Sequence, residues 1–378
     1  MRVLVVGAGI AGLALAGGLQ RRGHDVSVLE EAEDLRVGGA AISVWNNGAM
    51  ALRCLGTDLR GHGQVIDRLE FRSSTGNLVG WVDTARLNRQ IGIDAVTVPR
   101  GELLEHLAGA LTPGTLRFGA GCQRAHERAG RAMVELNHGE VLEADLVVGA
   151  DGQRSVVRNL FAPAAPARPS GWASLQGLTA APLDITGGST SIYAAGPPGG
   201  VGLMPAGRGL LQWWFDVRWP PEVPPSSLAV WLRRQFARWK PPMSDLLALI
   251  DDLDIEPFPH ASHRVPGLFH TDHVALIGDA VHAIPPVLAQ GANQSIEDAW
   301  VLTRALESSS SIPVALARYQ KERRHKVAAV SRLARMPMLP LYGLANRVPL
   351  PFTFPERLCR WSWGSVIRSA SSTLPSVR

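Results

Sequence analysis

Three glycines near the start of this 378-residue chain follow the spacing G-x-G-x-x-G: Gly7, Gly9 and Gly12. The apolar run at 3–6 before them predicts a buried parallel strand, and the segment after them predicts a helix. In that context Gly7 permits a tight turn, Gly9 lets a pyrophosphate approach the backbone, and Gly12 lets the helix pack closely on the strand. The spacing therefore predicts a dinucleotide-binding strand–turn–helix unit.

Two features beside the glycine turn fit the same ligand. The backbone N–H groups of Ile10 and Ala11 begin the helix, where they and the helix dipole would bind the pyrophosphate. A second predicted strand ends at Glu30, whose carboxylate would accept hydrogen bonds from ribose hydroxyls and repel a ribose phosphate. These residues favour the adenosine of NAD or FAD over that of NADP.

The same N-terminal segment also has the charged start and apolar stretch of a signal peptide or a short membrane span. The regular glycine spacing is not required for secretion and favours the folded strand–helix unit. We therefore expect no stable membrane insertion.

The composition is that of a globular protein large enough for two domains, with 46% hydrophobic and 19% charged residues and a net charge of +5. Its arginines are scattered rather than gathered in one stripe, which argues against nucleic-acid binding. The three cysteines, Cys54, Cys122 and Cys359, are far apart and lack a C-x-x-C spacing. This pattern argues against a disulfide framework or a metal site and predicts a cytoplasmic protein.

Two later segments each end a predicted strand in a turn that contains an aspartate. One segment reaches Asp151 and Gly152, and the other reaches Gly278 and Asp279. Because ligands bind at the carboxyl ends of the strands in α/β sheets, we expect both turns to lie at the same sheet edge as the glycine turn.

Together with Arg100 and the segments 36–56, 278–299 and 315–327, these motifs resemble a known family. It is that of the single-component FAD-dependent aromatic hydroxylases, the p-hydroxybenzoate hydroxylase family or group A flavoprotein monooxygenases. The resemblance implies an α/β fold with a Rossmann-like FAD-binding domain, an inserted β-sheet substrate domain and a C-terminal helical segment. It spans most of the first 335 residues.

The implied domain organisation is discontinuous. The FAD-binding domain would comprise 1–70, 99–165 and 266–335, the substrate domain 71–98 and 166–265, and a C-terminal helical tail 336–378, which we expect to pack on the body of the protein.

The resemblance also implies roles for residues outside the glycine turn. Asp279 would accept hydrogen bonds from the ribityl chain of FAD, Arg100 would lie near the ribityl chain and pyrophosphate, and Asp151 and Gly152 belong to a motif tied to both FAD and the nicotinamide donor. A surface salt bridge is the alternative role for Arg100.

Residues 285–293 raise a separate expectation. Pro285 and Pro286 form a stiff segment suited to lying against a flat ring. The N–H groups of Gly291, Ala292 and Asn293 would face the pyrimidine edge of a flavin and stabilise its anionic reduced form. Alternatively, the prolines merely end a loop before an ordinary amphipathic helix.

Three positions depart from the pattern of the family. Glu31 stands where a basic residue is common, and Arg36 is a candidate to compensate. Ala289 stands where the family usually has glycine. Gln176 stands in a stretch that often holds arginine at this position, which makes a carboxylated substrate less expected than a larger neutral or phenolic one.

The implied activity is that of a monooxygenase. NADPH or NADH would reduce non-covalently bound FAD, which would react with O2 to give a flavin hydroperoxide. That species would hydroxylate or epoxidise an aromatic or polyketide-like small molecule, or insert oxygen in a Baeyer–Villiger reaction. The flavin carries this chemistry, so no catalytic side chain is assigned. The nicotinamide donor would visit transiently, since there is no second G-x-G-x-x-G unit, and the protein would be a monomer or homodimer.

The substrate pocket should be covered by residues 166–265. Alternation in strand 209–219 separates Trp213 and Phe215 from Trp214. An ordinary core accounts for half of the aromatic residues equally well. The candidates for lining the pocket are Gln176, Met204, Trp213, Trp214, Phe215, Pro285 and Leu288.

Other functions share part of this pattern. A flavin-dependent halogenase has the same glycine turn, but its W-x-W-x-I-P motif and mid-chain lysine are not matched here. An isoprenoid reductase or cyclase, and a non-catalytic flavin-binding protein, stay as alternatives that a test of oxygen-dependent NAD(P)H consumption would separate.

Overall fold

The computed structural model describes residues 1–36, 38–161, 167–180, 185–220, 225–335 and 353–374. The described strands are β1 Arg2–Val6, β2 Asp25–Leu29, β3 Ala41–Val44, β4 Gln64–Val65, β5 Arg68–Ser73, β6 Leu78–Asp83, β7 Val96–Pro99, β8 Leu116–Arg117, β9 Cys122–Arg128, β10 Arg131–Leu136, β11 Val141–Ala144, β12 Leu146–Gly149, β13 Arg168–Ala180, β14 Thr190–Gly196, β15 Gly199–Gly207, β16 Leu210–Arg218, β17 Glu256–Ser262 and β18 Val274–Leu276. The described α-helices are α1 Ile10–Gln20, α2 Asn46–Cys54, α3 Thr84–Ile91, α4 Arg100–Gly109, α5 Leu228–Gln235, α6 Met243–Leu249, α7 Asp279–His282, α8 Gly291–Glu307, α9 Ile312–Arg335 and α10 Glu356–Ser369.

A five-stranded parallel sheet holds the first strand at its centre, in the order β18-β12-β1-β2-β8. Residues 3–6 are all buried, as a continuous apolar run in a covered parallel strand requires. Helix α1 is apolar on nearly every side because it packs between this sheet, α4 and α8. The predicted α/β fold with a Rossmann-like unit is confirmed.

A seven-stranded sheet lies beside it, in the order β17-β13-β16-β15-β14-β5-β6. One face is covered by α5 and α6, whose apolar side chains form a separate core with the inward residues of β16. The other face packs against the small β3-β7-β4 sheet through β15 and β16. Two three-stranded sheets, β11-β10-β9 and β3-β7-β4, complete the described fold.

The C-terminal segment packs on the body where it is described. Helix α10 lies against β6, and the backbone N–H of Phe354 donates to Val79 O at 2.8 Å. Residues 336–352 and 375–378 of the predicted tail lie outside the described residues. The six-part domain division stays a prediction, because sheet order alone does not test its boundaries.

Candidate functional site

The glycine turn joins β1 to α1. Gly7 has φ +107°, and a Cβ there would lie 2.6 Å from Ala150 O. A Cβ on Gly12 would lie 2.0 Å from Gly7 O, so the helix touches the turn directly. By contrast, nothing lies within 4 Å of a Cβ built on Gly9, which leaves room beside the uncapped first turn at Ile10 and Ala11. Open space facing unpaired amides fits a pyrophosphate.

Glu30 is held in place at the end of β2. Its two carboxylate oxygens accept hydrogen bonds from the backbone N–H groups of Ala8, at 2.9 Å, and Ala32, at 3.0 Å. Each oxygen keeps acceptor capacity for a ribose hydroxyl. Arg36 pairs with the exposed Glu31 at 2.8 Å and lies 3.9 Å from Glu30, so it stands beside the position where the family commonly has a basic residue.

The turn after β18 meets the start of α1. Gly278 has φ +60°, and its Cβ would lie 3.1 Å from Ala11 Cβ and 2.9 Å from Ser295 Oγ. Asp279 is exposed beside these elements. We call the space bordered by the glycine turn, the Gly278–Asp279 turn and the start of α8 the cleft. Surrounding protein nevertheless desolvates the carboxylate and raises its pKa, against the opposing charges of His282 and His263. The structure thus brings the Gly278–Asp279 turn and the glycine turn together.

The segment at Asp151 and Gly152 also lies against the glycine turn, next to Gly7. Asp151 accepts hydrogen bonds from the N–H groups of Val156 and Val157, and burial raises its pKa. Gly152 follows with φ +73°. Arg158 donates to Ala280 O at 2.9 Å, which ties this segment to helix α7.

Arg100 lies at the edge of the cleft. Its Nη1 donates to the carbonyls of Arg36 and Gly38, the second at 3.2 Å. Burial lowers the pKa of Arg100, while Glu256 nearby opposes that change. The side chain therefore fixes the segment before β3 in addition to any role toward a phosphate.

The sequence did not settle the conformation of the two prolines and of Ala289 in the loop before α8, and the structure defines it. Pro285 is buried, Pro286 begins a short 3-10 helix that ends at Leu288, and Ala289 then adopts the left-handed conformation with φ +48°. Helix α8 begins at Gly291 and has no capping side chain, so the amides of Gly291 and Ala292 open its first turn.

The side chain of Asn293 anchors that helix start to the segment around β3. Its Oδ1 accepts from the N–H of Trp45 at 2.9 Å, and its Nδ2 donates to Ser43 O at 2.9 Å and Ala289 O at 2.8 Å. Asn293 is fully buried. The sequence pointed to its backbone, and the structure adds a side-chain role.

We expect glycine at Ala289 to leave the free energy of unfolding unchanged or to raise it by up to about 1 kcal/mol. The left-handed backbone costs a non-glycine residue roughly 1–2 kcal/mol, and the extra entropy of unfolded glycine offsets part of the gain. Ala329→Gly, at an exposed position inside α9, should instead lose about 1 kcal/mol. Urea unfolding measures the free energy of unfolding of both variants. Equal losses for the two would contradict a strained backbone at Ala289.

The face of the seven-stranded sheet that borders the cleft carries three of the residues predicted to line the pocket: Met204, Trp214 and Gln176. Met204 contacts Ser43 Oγ at 3.0 Å, and Trp214 and Ala289 belong to the same apolar cluster as Met204. Gln176 lies opposite Trp214 in the adjacent strand and shares its face.

Trp213 and Phe215 require a correction as pocket candidates. Both are fully buried on the opposite face of β16, where they pack with Phe236 of the α5–α6 core. Alternation along the strand sends them away from Trp214. They stabilise the sheet from the far side and do not line the cleft.

Three aromatic residues near the cleft were missed. Trp45 and Phe71 each contact Trp363 of α10 edge-on, with ring centroids 4.9 and 6.4 Å apart. The alternation of β5 could have indicated Phe71, but nothing local connects Trp363 to Phe71 and Trp45, which lie 292 and 318 positions earlier in the chain.

A buried charge network supports the Gly278 turn. Asp298 Oδ2 accepts from the N–H of Gly278 at 2.9 Å and contacts His282 Nε2 at 2.5 Å, while its Oδ1 accepts from Arg323 Nε at 2.6 Å. Burial alone would raise the pKa of Asp298, but the charges of His282 and Arg323 hold it below its usual value. Glu297, also buried, accepts from Ser371 Oγ at 2.5 Å and thereby ties the C-terminal segment to α8.

Asp216 on the cleft face predicts a pH effect on stability. Its side chain is 18% exposed, and burial raises its pKa from 3.8 to about 6. An acid whose pKa is higher in the folded than in the unfolded protein destabilises the fold as pH rises through that interval. The stability of the wild type relative to Asp216→Asn should therefore fall by up to about 3 kcal/mol between pH 4 and pH 7.

Urea unfolding at several pH values measures this difference. The buried His260, whose pKa is lowered to about 4 by desolvation, is present in both proteins and largely cancels. Asp272→Asn, at an exposed position, is the control and should show no such trend. A pH-independent difference for Asp216→Asn would contradict the prediction.

Within the described residues, no group of three or more His, Cys, Asp or Glu side chains is placed to hold a metal ion. Of the described helices, none is both long and apolar enough to cross a bilayer.

Comparison with known proteins places this geometry in a family. Residues 1–334 match the FAD binding domain family model. The chain is 31% identical to the FAD-dependent urate hydroxylase of Klebsiella pneumoniae over 349 residues, 89% of each chain. It is 33% identical to the 3-amino-4-hydroxybenzoate 2-monooxygenase PtnB3 of Streptomyces platensis over 391 aligned positions, covering 96% of this chain and 95% of that one.

A solved structure agrees over nearly the whole length. The Klebsiella pneumoniae protein HpxO, complexed with FAD and uric acid, superposes with a TM-score of 0.90 at 27% identity, covering 98% of this chain and 97% of that one. The matched region contains the glycine turn, Glu30, Asp279 and the start of α8, which the structure brings to one cleft. The chain therefore belongs to the FAD-dependent monooxygenases of the aromatic hydroxylase family.

Proposed function

We propose that this protein binds FAD non-covalently and uses NAD(P)H and O2 to hydroxylate a small aromatic or heteroaromatic molecule. The observation that carries the proposal is the close approach of Gly278 to Ala11: a Cβ built on Gly278 would lie 3.1 Å from the Cβ of Ala11. It brings the Gly278–Asp279 turn beside the open first turn of α1. FAD supplies the redox chemistry when bound.

The residues of the cleft would divide the binding of FAD among them. Glu30 would accept from the ribose, the first turn of α1 would bind the pyrophosphate, and Asp279 would accept from the ribityl hydroxyls. The amides at the start of α8 would stabilise negative charge on the pyrimidine edge of the ring.

Exclusion of water falls to the apolar side of the cleft. Trp45, Met204 and Trp214 form one cluster with Ala289, which lies two residues before the start of α8 at Gly291. A dry surface next to the reacting ring limits loss of activated oxygen to water and strengthens electrostatic interactions.

The test begins with the purified protein loaded with FAD. The absorbance spectrum is followed after NADPH or NADH is added without oxygen, and O2 uptake is then measured with a panel of phenols and heteroaromatic compounds. Reduction that a panel compound accelerates, with oxygenated product, supports the proposal. A protein that takes up no FAD would contradict it, and bound flavin without compound-dependent reduction would favour a non-catalytic flavin-binding protein.

We also propose a cytoplasmic location and a monomer or homodimer. The three cysteines are all free, which is consistent with a reducing compartment. Light scattering at several protein concentrations would measure the assembly state.

A further inference from the structure

Two aromatic rings lie flat on glycines at the cleft face of the seven-stranded sheet. A Cβ on Gly202 would lie 2.1 Å from the Trp214 ring, and one on Gly200 would lie 2.4 Å from Tyr193 Oη. The two rings are nearly parallel, with an interplanar angle of 26° and centroids 6.2 Å apart. We call Trp214 and Tyr193 the aromatic surface. Because the two rings cover glycines two positions apart on one face of β15, the aromatic surface is longer than a single six-membered ring.

Asp216 holds the aromatic surface in position. Its Oδ2 accepts from Tyr193 Oη at 3.3 Å, its Oδ1 accepts from Ser174 Oγ at 2.7 Å, and the side chain of Trp214 also donates to it. Each ring is therefore fixed by a hydrogen bond at its edge as well as by the glycine beneath it. A surface fixed in this way is pre-organised for stacking against another flat ring.

The polar side chains around the aromatic surface are acids, amides and the hydroxyl of Ser174, which also bonds to His260, whose pKa desolvation lowers to about 4. Gln176, Gln212 and Glu256 share the face of Trp214 on the neighbouring strand positions, together with Asp216. A carboxylate placed here would be repelled by Asp216 and Glu256. The cation near Glu256 is Arg100, which already donates to the carbonyls of Arg36 and Gly38.

The arginines of this sheet are turned to other contacts. Arg68 and Arg72 both pair with Glu70 on the opposite face, at 2.7 and 2.6 Å. Arg218 shares the cleft face but lies at the end of β16, where its guanidinium stacks 4.5 Å from the ring centroid of Trp172. None of these three guanidinium groups is positioned to bind a carboxylate stacked on Trp214.

We propose that the cleft takes an uncharged, flat aromatic molecule of about two fused rings, stacked on Trp214, and discriminates against ring carboxylates. The proposal names the substrate class for the site and so rests on the proposed function. It separates this chain from a benzoate-type hydroxylase on the basis of its own side chains.

A matched pair of ligands tests the proposal by binding alone. FAD-loaded protein is titrated with 2-naphthol and with 3-hydroxy-2-naphthoate, without oxygen or NAD(P)H, by flavin absorbance and by calorimetry. We expect 2-naphthol to bind at least about tenfold more tightly, as stacking with an unpaired carboxylate on the competitor implies. Because neither reductant nor oxygen is present, failure of the monooxygenase activity would not alter this result.

Three variants locate the effect. Trp214→Ala should weaken 2-naphthol binding about tenfold, while Trp361→Ala, at a tryptophan that is 64% exposed on α10, should leave it unchanged. Gln176→Arg adds a guanidinium to the same face and should narrow or reverse the preference. FAD content and circular dichroism identify any variant that fails to fold.

Two results would overturn the proposal. One is binding of the carboxylate as tight as that of 2-naphthol by the wild-type protein. The other is binding of neither ring by protein that retains FAD. A preference that Gln176→Arg leaves untouched would also contradict the charge argument, since that variant changes the charge of the face and does not remove Trp214.

Discussion

Alanine in place of Gly12 should strongly destabilise the fold, whereas alanine in place of Gly9 should leave the fold intact and weaken FAD binding. A Cβ on Gly12 would lie 2.0 Å from the backbone oxygen of Gly7, which cannot move without separating α1 from β1. We expect a loss of at least about 3 kcal/mol in the free energy of unfolding. Gly9 has φ −78° and open space around its Cβ, so Gly9→Ala should cost less than about 1 kcal/mol without cofactor.

Two measurements separate the variants. Urea unfolding of the FAD-free proteins reports the folding cost, and quenching of FAD fluorescence on titration reports the affinity. The methyl group added by Gly9→Ala would occupy the space that a pyrophosphate needs, so FAD affinity should fall at least about tenfold. If Gly9→Ala bound FAD as the wild type does, the pyrophosphate would not lie at this turn.

Removal of the charge on Arg323 should be nearly as damaging although the residue lies outside the cleft. Arg323 is fully buried, donates to Asp298 at 2.6 Å, and also lies 4.0 Å from Glu297. Arg323→Met would leave two buried carboxylates without their main cation, and such a change typically costs about 3–5 kcal/mol. Because Asp298 also accepts from the N–H of Gly278, FAD affinity should fall as well.

The adjacent residue supplies the control. Arg324 is exposed on the same helix, and Arg324→Met should change the free energy of unfolding by less than about 0.5 kcal/mol. Urea unfolding and FAD titration apply to both proteins. Similar small losses for the two variants would show that the buried network does not support the fold as its geometry implies.

The glycine turn, Glu30 and the Gly278–Asp279 turn could be predicted because each depends on local backbone demands that leave a mark in the sequence. A glycine with no room for Cβ and a carboxylate at a strand end are such marks. Even the unusual backbone at Ala289 was foreseeable, since the family pattern has glycine there. Here local chemistry and global structure agree.

Other contacts left no local mark. Alternation in β16 divided its residues into two faces, but only the packing of α5 and α6 decides that Trp213 faces the core and Trp214 faces the cleft. The bonds of Asn293 to Ser43 and Trp45 join segments about 250 positions apart. Such contacts depend on how distant elements meet, which periodicity does not encode.

The central position of β1 has a consequence for how the protein is made. Its neighbour β2 follows within 30 residues, but β12 begins at residue 146 and β18 at residue 274. During translation β1 must therefore wait with one hydrogen-bonding edge unpaired until β12, about 140 residues further along the chain, has left the ribosome. Long-range parallel pairing is slow, and an unpaired edge invites aggregation. Slower synthesis at low temperature, or chaperones that shield that edge, should raise the yield of correctly assembled protein.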